Sequence, residues 1–301
     1  MTAPGVEVRD LVVRYGSTTA LDRVGLDLAP GTITALIGRN GSGKTSLLST
    51  LAAFRPADGG SVRVGGADPW EDPAVVADIL LVRESGDLLR DLRVRDNLHF
   101  VADNREHFSA DLAGQLLDTF EIPVRRKPTQ LSHGKRSALG VVVGLASRAP
   151  LTLLDEVHLG MDAPSRYAFY DALLADYVEH PRTIVLSSHL VDEVQRLVEH
   201  VVILHQGRVL LADDAEDLRG RGTTVTGATA AVAAFVEGRT VLGRTALGPT
   251  TQVTLFGAVT DADRAEAARR GLDLGPVDLQ DLFVHLTGPD GPAVPAEEVA
   301  S

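Results

Sequence analysis

The segment Gly38-Arg39-Asn40-Gly41-Ser42-Gly43-Lys44-Thr45 constrains this chain more than any other. Its Gly-x-x-x-x-Gly-Lys-Thr spacing requires a strand before it and a helix after it. Both are in place: Thr32 to Ile37 is a short apolar, β-branched run that reads as a buried strand, and Ser46-Leu47-Leu48-Ser49-Thr50-Leu51 continues as a helix. The glycines let successive backbone N–H groups face one anion, and the helix N-terminus adds partial positive charge. The Lys44 ammonium then reaches the β and γ phosphates of a nucleotide, and the Thr45 hydroxyl is a ligand for Mg²⁺. A glycine-rich turn that binds nothing would not need these flanks.

The loop alone does not name a reaction, and further segments narrow it. Leu151 to Glu156 is an apolar strand ending in two adjacent carboxylates, which strand alternation sends to different tasks. Asp155 would hold Mg²⁺ or its water, leaving Glu156 to polarise a water for attack on a γ-phosphate. A helix N-terminus also favours carboxylates, so this pair draws its weight from the phosphate loop upstream. Thr183 to Ser188 is a second β-branched strand that delivers His189 just beyond its C-terminal end, where open parallel sheets bind ligands. His189 is therefore a candidate γ-phosphate sensor, or else the exposed start of a helix. Leu131-Ser132-His133-Gly134-Lys135-Arg136 precedes a small and aliphatic helical run, Ser137 to Ala146. Ser132 and Gly134 at such a start offer hydroxyl and N–H donors to an anion, or serve as an ordinary N-cap.

In content and order, over about the first 215 residues, these motifs resemble the ATP-binding subunit of an ATP-binding cassette (ABC) transporter. The resemblance implies a Walker A loop at Gly38 to Thr45 followed by Ser46, and a Walker B strand at Leu151 to Asp155. Glu156 is then the catalytic base and His189 the switch histidine. It makes Ser132, His133, Gly134 and Lys135 the signature that contacts ATP, Leu159-Gly160-Met161-Asp162 the loop that crosses a dimer interface, and Tyr15 the ring that stacks on adenine. A Tyr near an N-terminal strand is otherwise a half-buried core residue. Departures accompany the match. Glu84 stands where the family usually has a Gln that ligates Mg²⁺, His133 replaces a usual Gly, Lys135 replaces Gln, and Val157-His158 replaces Pro-Thr. A carboxylate at Glu84 still suits Mg²⁺. Lys44, Asp155, Glu156 and His189 are retained, so hydrolysis is expected to survive, at a reduced rate if these changes slow it.

Organisation follows from pattern. Val6 to Val13, Leu21 to Leu28 and the segment from Gly59 read as strands of an N-terminal sheet. Residues from about 85 to 148 hold helical patterns at Val94 to Ala102, Ala110 to Phe120 and Gly134 to Ser147, an inserted helical lobe punctuated by Pro123 and Pro128. The expected fold class is α/β: a P-loop NTPase core of ABC type over residues 1–219, with that inserted helical subdomain and a small C-terminal α+β domain over 223–287. In the latter the β-α-β-β-α-β order suits a ferredoxin-like domain, and Val277 to Leu286 after it resembles the terminal helix found in many ABC ATPase subunits. Residues 288–301, rich in Pro, Gly and Ala, read as a flexible tail.

The net charge of −12 argues against a nucleic-acid partner, because phosphate backbones would be repelled. With no Cys, disulfides and thiolate metal sites are excluded. No apolar run approaches bilayer length and the N-terminus lacks a signal-peptide pattern, so a cytoplasmic chain is expected. The resemblance implies an ATP-hydrolysing subunit, using ATP and Mg²⁺, that sandwiches nucleotide in a homodimer or with a second ATPase subunit. It would energise a separately encoded transmembrane permease from the inner face of the membrane. A non-transport ABC ATPase acting on a soluble partner, and a weakly hydrolysing regulatory module, fit the same motifs.

Overall fold

Three strands that are buried along their whole length organise the molecule: β3 (Ile33–Ile37), β6 (Leu151–Asp155) and β7 (Thr183–Ser188). Near-continuous burial is the mark of parallel strands covered on both faces. The computed structural model describes residues 2–84 and 88–288. Among these, β3, β6 and β7 join β5 (Ile79–Arg83), β8 (His200–His205) and β9 (Arg208–Asp214) in a six-stranded sheet of order β5-β6-β7-β3-β8-β9. All neighbours are parallel except β8 and β9, which form an antiparallel edge. Helix α1 (Lys44–Leu51) leaves the phosphate loop after β3, α6 (Ala163–Glu179) lies between β6 and β7, and α7 (Val191–Val194) follows β7. The short helix α2 (Pro73–Ala77) starts on an Asp72 side-chain cap.

A second sheet, β2-β1-β4, is antiparallel and pairs β1 (Val6–Tyr15) with β2 (Thr18–Leu28) and β4 (Gly59–Val64). Its alternating apolar face, including Val8, Leu11 and Val13, packs with Leu47, Leu48 and Leu51 of α1 and with one face of the large sheet. The opposite face carries the helical insertion: α3 (Val94–Asp103), α4 (Ala110–Thr119) and α5 (His133–Ala146). The last is nearly all small or aliphatic and buried from Ser137 to Ala146. Gly144 lets it lie against Leu154, since a Cβ there would come within 2.9 Å of that side chain.

After α8 (Ala215–Gly220), a third sheet of order β11-β12-β10-β13 is antiparallel throughout. Its strands are β10 (Gly222–Ala228), β11 (Thr240–Leu247), β12 (Thr250–Phe256) and β13 (Asp273–Pro276). Helices α9 (Thr229–Phe235) and α10 (Asp261–Arg269) cover it around a core of Val225, Phe235, Val253 and Leu255. The terminal helix α11 (Leu279–Thr287) departs from this unit and buries Leu279, Leu282, Phe283 and Leu286 in the same core as Val191 and Val194 of α7. Except for Gly288, the tail expected over 288–301 lies outside the described residues. Among the described residues no helix is long and apolar enough to cross a membrane.

Candidate functional site

The C-terminal ends of β3, β6 and β7 converge, and each delivers a polar group there. The loop after β3 turns through Gly41 and Gly43 at positive φ, 80° and 109°. Gly43 has no room for a side chain: a Cβ would lie 2.7 Å from Ala20 O. Gly38 is equally confined, with Leu204 O 2.6 Å from where its Cβ would be. These positions keep the backbone as a bare cradle at the start of α1. The buried Ser42 Oγ has no hydrogen-bond partner among the described residues. Lys44 is buried, and its Nζ donates to Gly38 O at 2.7 Å.

Lys44 also reaches the carboxylate supplied by β6, with Nζ 3.0 Å from Glu156 Oε1. The same oxygen lies 3.4 Å from His189 Nδ1, which comes from the end of β7. Burial would raise the Glu156 carboxyl, but the Lys44 ammonium and then His189 outweigh it and hold it below the ordinary value. Glu156 sits at φ 52°, a left-handed conformation unusual for a non-glycine residue. Its N–H donates to Ser187 Oγ at 3.0 Å.

The preceding Asp155, the last residue of β6, has other partners. Its Oδ2 accepts from Thr45 Oγ1 at 2.7 Å and its Oδ1 from Ser187 Oγ at 2.6 Å. A hydroxyl and a carboxylate so paired are hard oxygen donors of the kind Mg²⁺ takes. Tyr15, Asn40, Gly41, Ser42, Gly43, Lys44, Thr45, Ser46 and Glu156 line one cavity of about 330 Å³. Tyr15 is 53% exposed there, with the Arg55 guanidinium 4.2 Å from its ring centre. The hydroxyl of Tyr15 is held below its ordinary pKa, first by a hydrogen bond with Ser46.

Other expected site residues lie elsewhere. Arg39 turns outward and donates from Nη1 to Thr287 O at 3.4 Å. Glu84, expected in the Mg²⁺ shell, does not line the Lys44 cavity: its Oε1 is 3.1 Å from His133 Nε2. These two departures from the family pattern thus meet in one contact, reached because β5 ends beside the start of α5. They line a separate cleft with Leu88, Arg90, Thr129 and Arg136. Ser132 caps α5, accepting from Lys135 N at 3.3 Å, while Lys135 Nζ donates to Glu121 O at 2.8 Å. Gly134 permits a close approach to the 159–162 loop, since a Cβ would be 2.6 Å from Gly160 O. None of Ser132, His133, Gly134 and Lys135 lines the cavity around Lys44.

One residue with a place in this network escapes motif reading. His158 is fully buried beside Tyr170, and its Nε2 is 3.2 Å from Ser188 Oγ, which accepts from Leu190 N at 2.9 Å. Burial pushes its imidazole down to about 4, against the opposing pull of Glu193 and Glu156. Its replacement of a usual Thr was visible in the sequence; its burial was not.

The profile of the family described as ABC transporter matches residues 21–158. A putative ABC transporter ATP-binding protein of Halobacterium salinarum is 34% identical over 223 residues, which is 71% of this chain and 95% of that protein. A putative ABC transporter ATP-binding protein of Streptomyces avermitilis is 38% identical over 219 residues, covering 69% of this chain but only 37% of that longer relative. A solved structure described as the ATP binding subunit of an ABC transporter is 25% identical, with a TM-score of 0.64, and covers 71% of this chain and 91% of its own. The chain belongs to the ABC transporter ATP-binding proteins, a family of ATPases built on this P-loop fold.

Proposed function

We propose that this chain hydrolyses ATP at the cavity around Lys44 and uses the energy to drive a separately encoded transmembrane subunit. The observation that carries the reading is the meeting of Lys44, Glu156 and His189 at one carboxylate oxygen, beside the Thr45–Asp155 pair. The backbone N–H groups of Gly38 to Thr45, with Ser46, hold the phosphates, and Tyr15 offers a ring face to the adenine. Glu156, kept ionised by Lys44 and His189, accepts a proton from the attacking water. His189 keeps that carboxylate aimed and senses the γ-phosphate. Thr45 and Asp155 would hold Mg²⁺, which neutralises phosphate charge when bound.

Ser132, His133, Gly134 and Lys135 lie outside this cavity in their own copy, which supports a sandwich in which they complete the site of a second copy or of a second ATPase subunit. The 159–162 loop, packed on α5 through Ser137 Oγ donating to Leu159 O at 2.7 Å, is then at the same interface. We place the chain in the cytoplasm, on the inner face of the membrane through its permease. Residues 1–219 form the ATP-binding domain, and 223–287 a small ferredoxin-like domain, a reading supported by the sheet order β11-β12-β10-β13.

Two measurements test the proposal. Purified chain should release phosphate from Mg·ATP, and Glu156→Gln should not; equal release by both would overturn the hydrolytic reading. Pull-down from solubilised membranes should recover a polytopic membrane protein. Recovery of a soluble partner alone would assign the chain to the non-transport ATPases.

A further inference from the structure

His189 leaves β7 on a turn whose next two backbone N–H groups are both held by side chains. Leu190 N donates to Ser188 Oγ at 2.9 Å, a bond local to the turn. Val191 N donates to Gln280 Oε1 at 3.1 Å, an acceptor 89 residues further along the chain, in α11. A helix leaves its first N–H groups without internal partners, and α7 has four residues and no side-chain cap from Leu190. Gln280 therefore supplies the missing cap from a distant element. Val191 is fully buried, so its N–H is shielded from solvent and needs that partner.

Helix α11 is anchored where it stands. Leu279, Leu282, Phe283 and Leu286 share a core with Val191 and Val194, and at its other end Thr287 O accepts from Arg39 of the phosphate loop. One helix thus touches both loops that flank the Lys44–Glu156 pair.

We propose that Gln280 is a positioning residue for His189: by capping α7 it fixes the turn that aims the imidazole at Glu156. The C-terminal unit, which delivers α11, thereby sets the competence of a site to which it contributes no catalytic group. This rests on the reading of His189 and Glu156 as the hydrolytic pair.

The test uses the full chain. Gln280→Met keeps length and removes the acceptor, so kcat should fall about ten-fold with the KM for ATP within about two-fold of wild type. Phe283→Leu loosens the same helix but keeps Gln280, and its kcat should stay within about two-fold of wild type. In a His189→Ala background, single-turnover hydrolysis of radiolabelled ATP should show less than about a two-fold further loss on adding Gln280→Met, because both changes act through one residue. An unchanged kcat in Gln280→Met, an equal loss in Phe283→Leu, or a full further loss in the His189→Ala background would each overturn the assignment. So would a Gln280→Met chain that fails to fold by circular dichroism, since the bond would then serve folding alone. Wild-type turnover in His189→Ala alone would instead overturn the hydrolytic role of His189, a separate failure.

Discussion

The Lys44 ammonium lies 3.0 Å from Glu156 Oε1, in an ion pair whose side chains are only 6% and 19% exposed. The phosphate-loop cation and the carboxylate at the end of β6 thus hold each other, so removing the ammonium leaves a largely buried carboxylate without its main counter-charge.

Lys44→Ala should abolish turnover, with a loss of at least about a hundred-fold, because the cradle loses its mobile cation where phosphate charge is greatest. The substitution also removes the main influence holding Glu156 below its ordinary value, leaving only His189 to oppose burial. Phosphate release and nucleotide affinity are the measurements. Unchanged values for both would show that the cavity around Lys44 is not the nucleotide site.

Glu156→Gln preserves shape and removes the base, so hydrolysis should drop by about a hundred-fold or more while ATP stays bound. With Mg·ATP the variant should run as a dimer in size-exclusion chromatography. A monomer under those conditions would refute the sandwich for the isolated chain.

Gly38→Ala should destabilise the fold by about 2 kcal/mol and weaken nucleotide binding, since its Cβ would press on Leu204 O and Ser42, neither of which can yield without moving the loop. Thermal unfolding gives the stability change. A melting temperature equal to that of wild type would mean that the loop tolerates a side chain.

Burial holds the His158 imidazole near pH 4 in the folded chain, whereas an unfolded histidine titrates near pH 6.5. Between these values the unfolded chain binds more protons, so stability must rise with pH across that window and fall as the medium is acidified. The full swing is up to about 3 kcal/mol, reached once the pH is below 4. Denaturant unfolding at pH 7, 5.5 and 4 should show the loss, and His158→Asn should flatten it. An identical pH slope in the two forms would refute the assignment to His158.

The parts of the site that were legible in the sequence depend on local spacing. The phosphate loop, the Asp155–Glu156 pair and His189 each end a strand whose apolar run announces it, and the parallel sheet then brings those ends together. The β-α-β-β-α-β order read over 223–287 is the order in which β10, α9, β11, β12, α10 and β13 follow one another. Residues whose role depends on a distant partner were not legible. Nothing around Glu84 indicates that its carboxylate meets His133, nothing around Gln280 points to Val191, and nothing around His158 indicates that it is buried. The short helix at Pro73–Ala77 was missed for another reason. Its Asp72-Pro73 start is a capping signal, but five residues show no period.

The partner of Glu84 changes what should follow from replacing it. Its carboxylate is 44% exposed and faces His133, which is 52% exposed, in a cleft separate from the Lys44 cavity. Exposed pairs of this kind contribute little energy; this one joins the end of β5 to the first residue of α5, whose buried face already packs on the sheet. Glu84→Gln should therefore leave the Mg²⁺ dependence of the ATPase rate unchanged, with a midpoint within about two-fold of wild type, because the Thr45–Asp155 pair is intact. Any change in maximal rate should be shared with His133: Glu84→Gln, His133→Gln and the double variant should be non-additive, since each single change already breaks the pair. A Mg²⁺ titration of all four forms decides the matter. A midpoint that moves in Glu84→Gln but not in His133→Gln would return Glu84 to the metal shell, whereas superimposable titrations with non-additive rates would make the pair a joint between the two lobes.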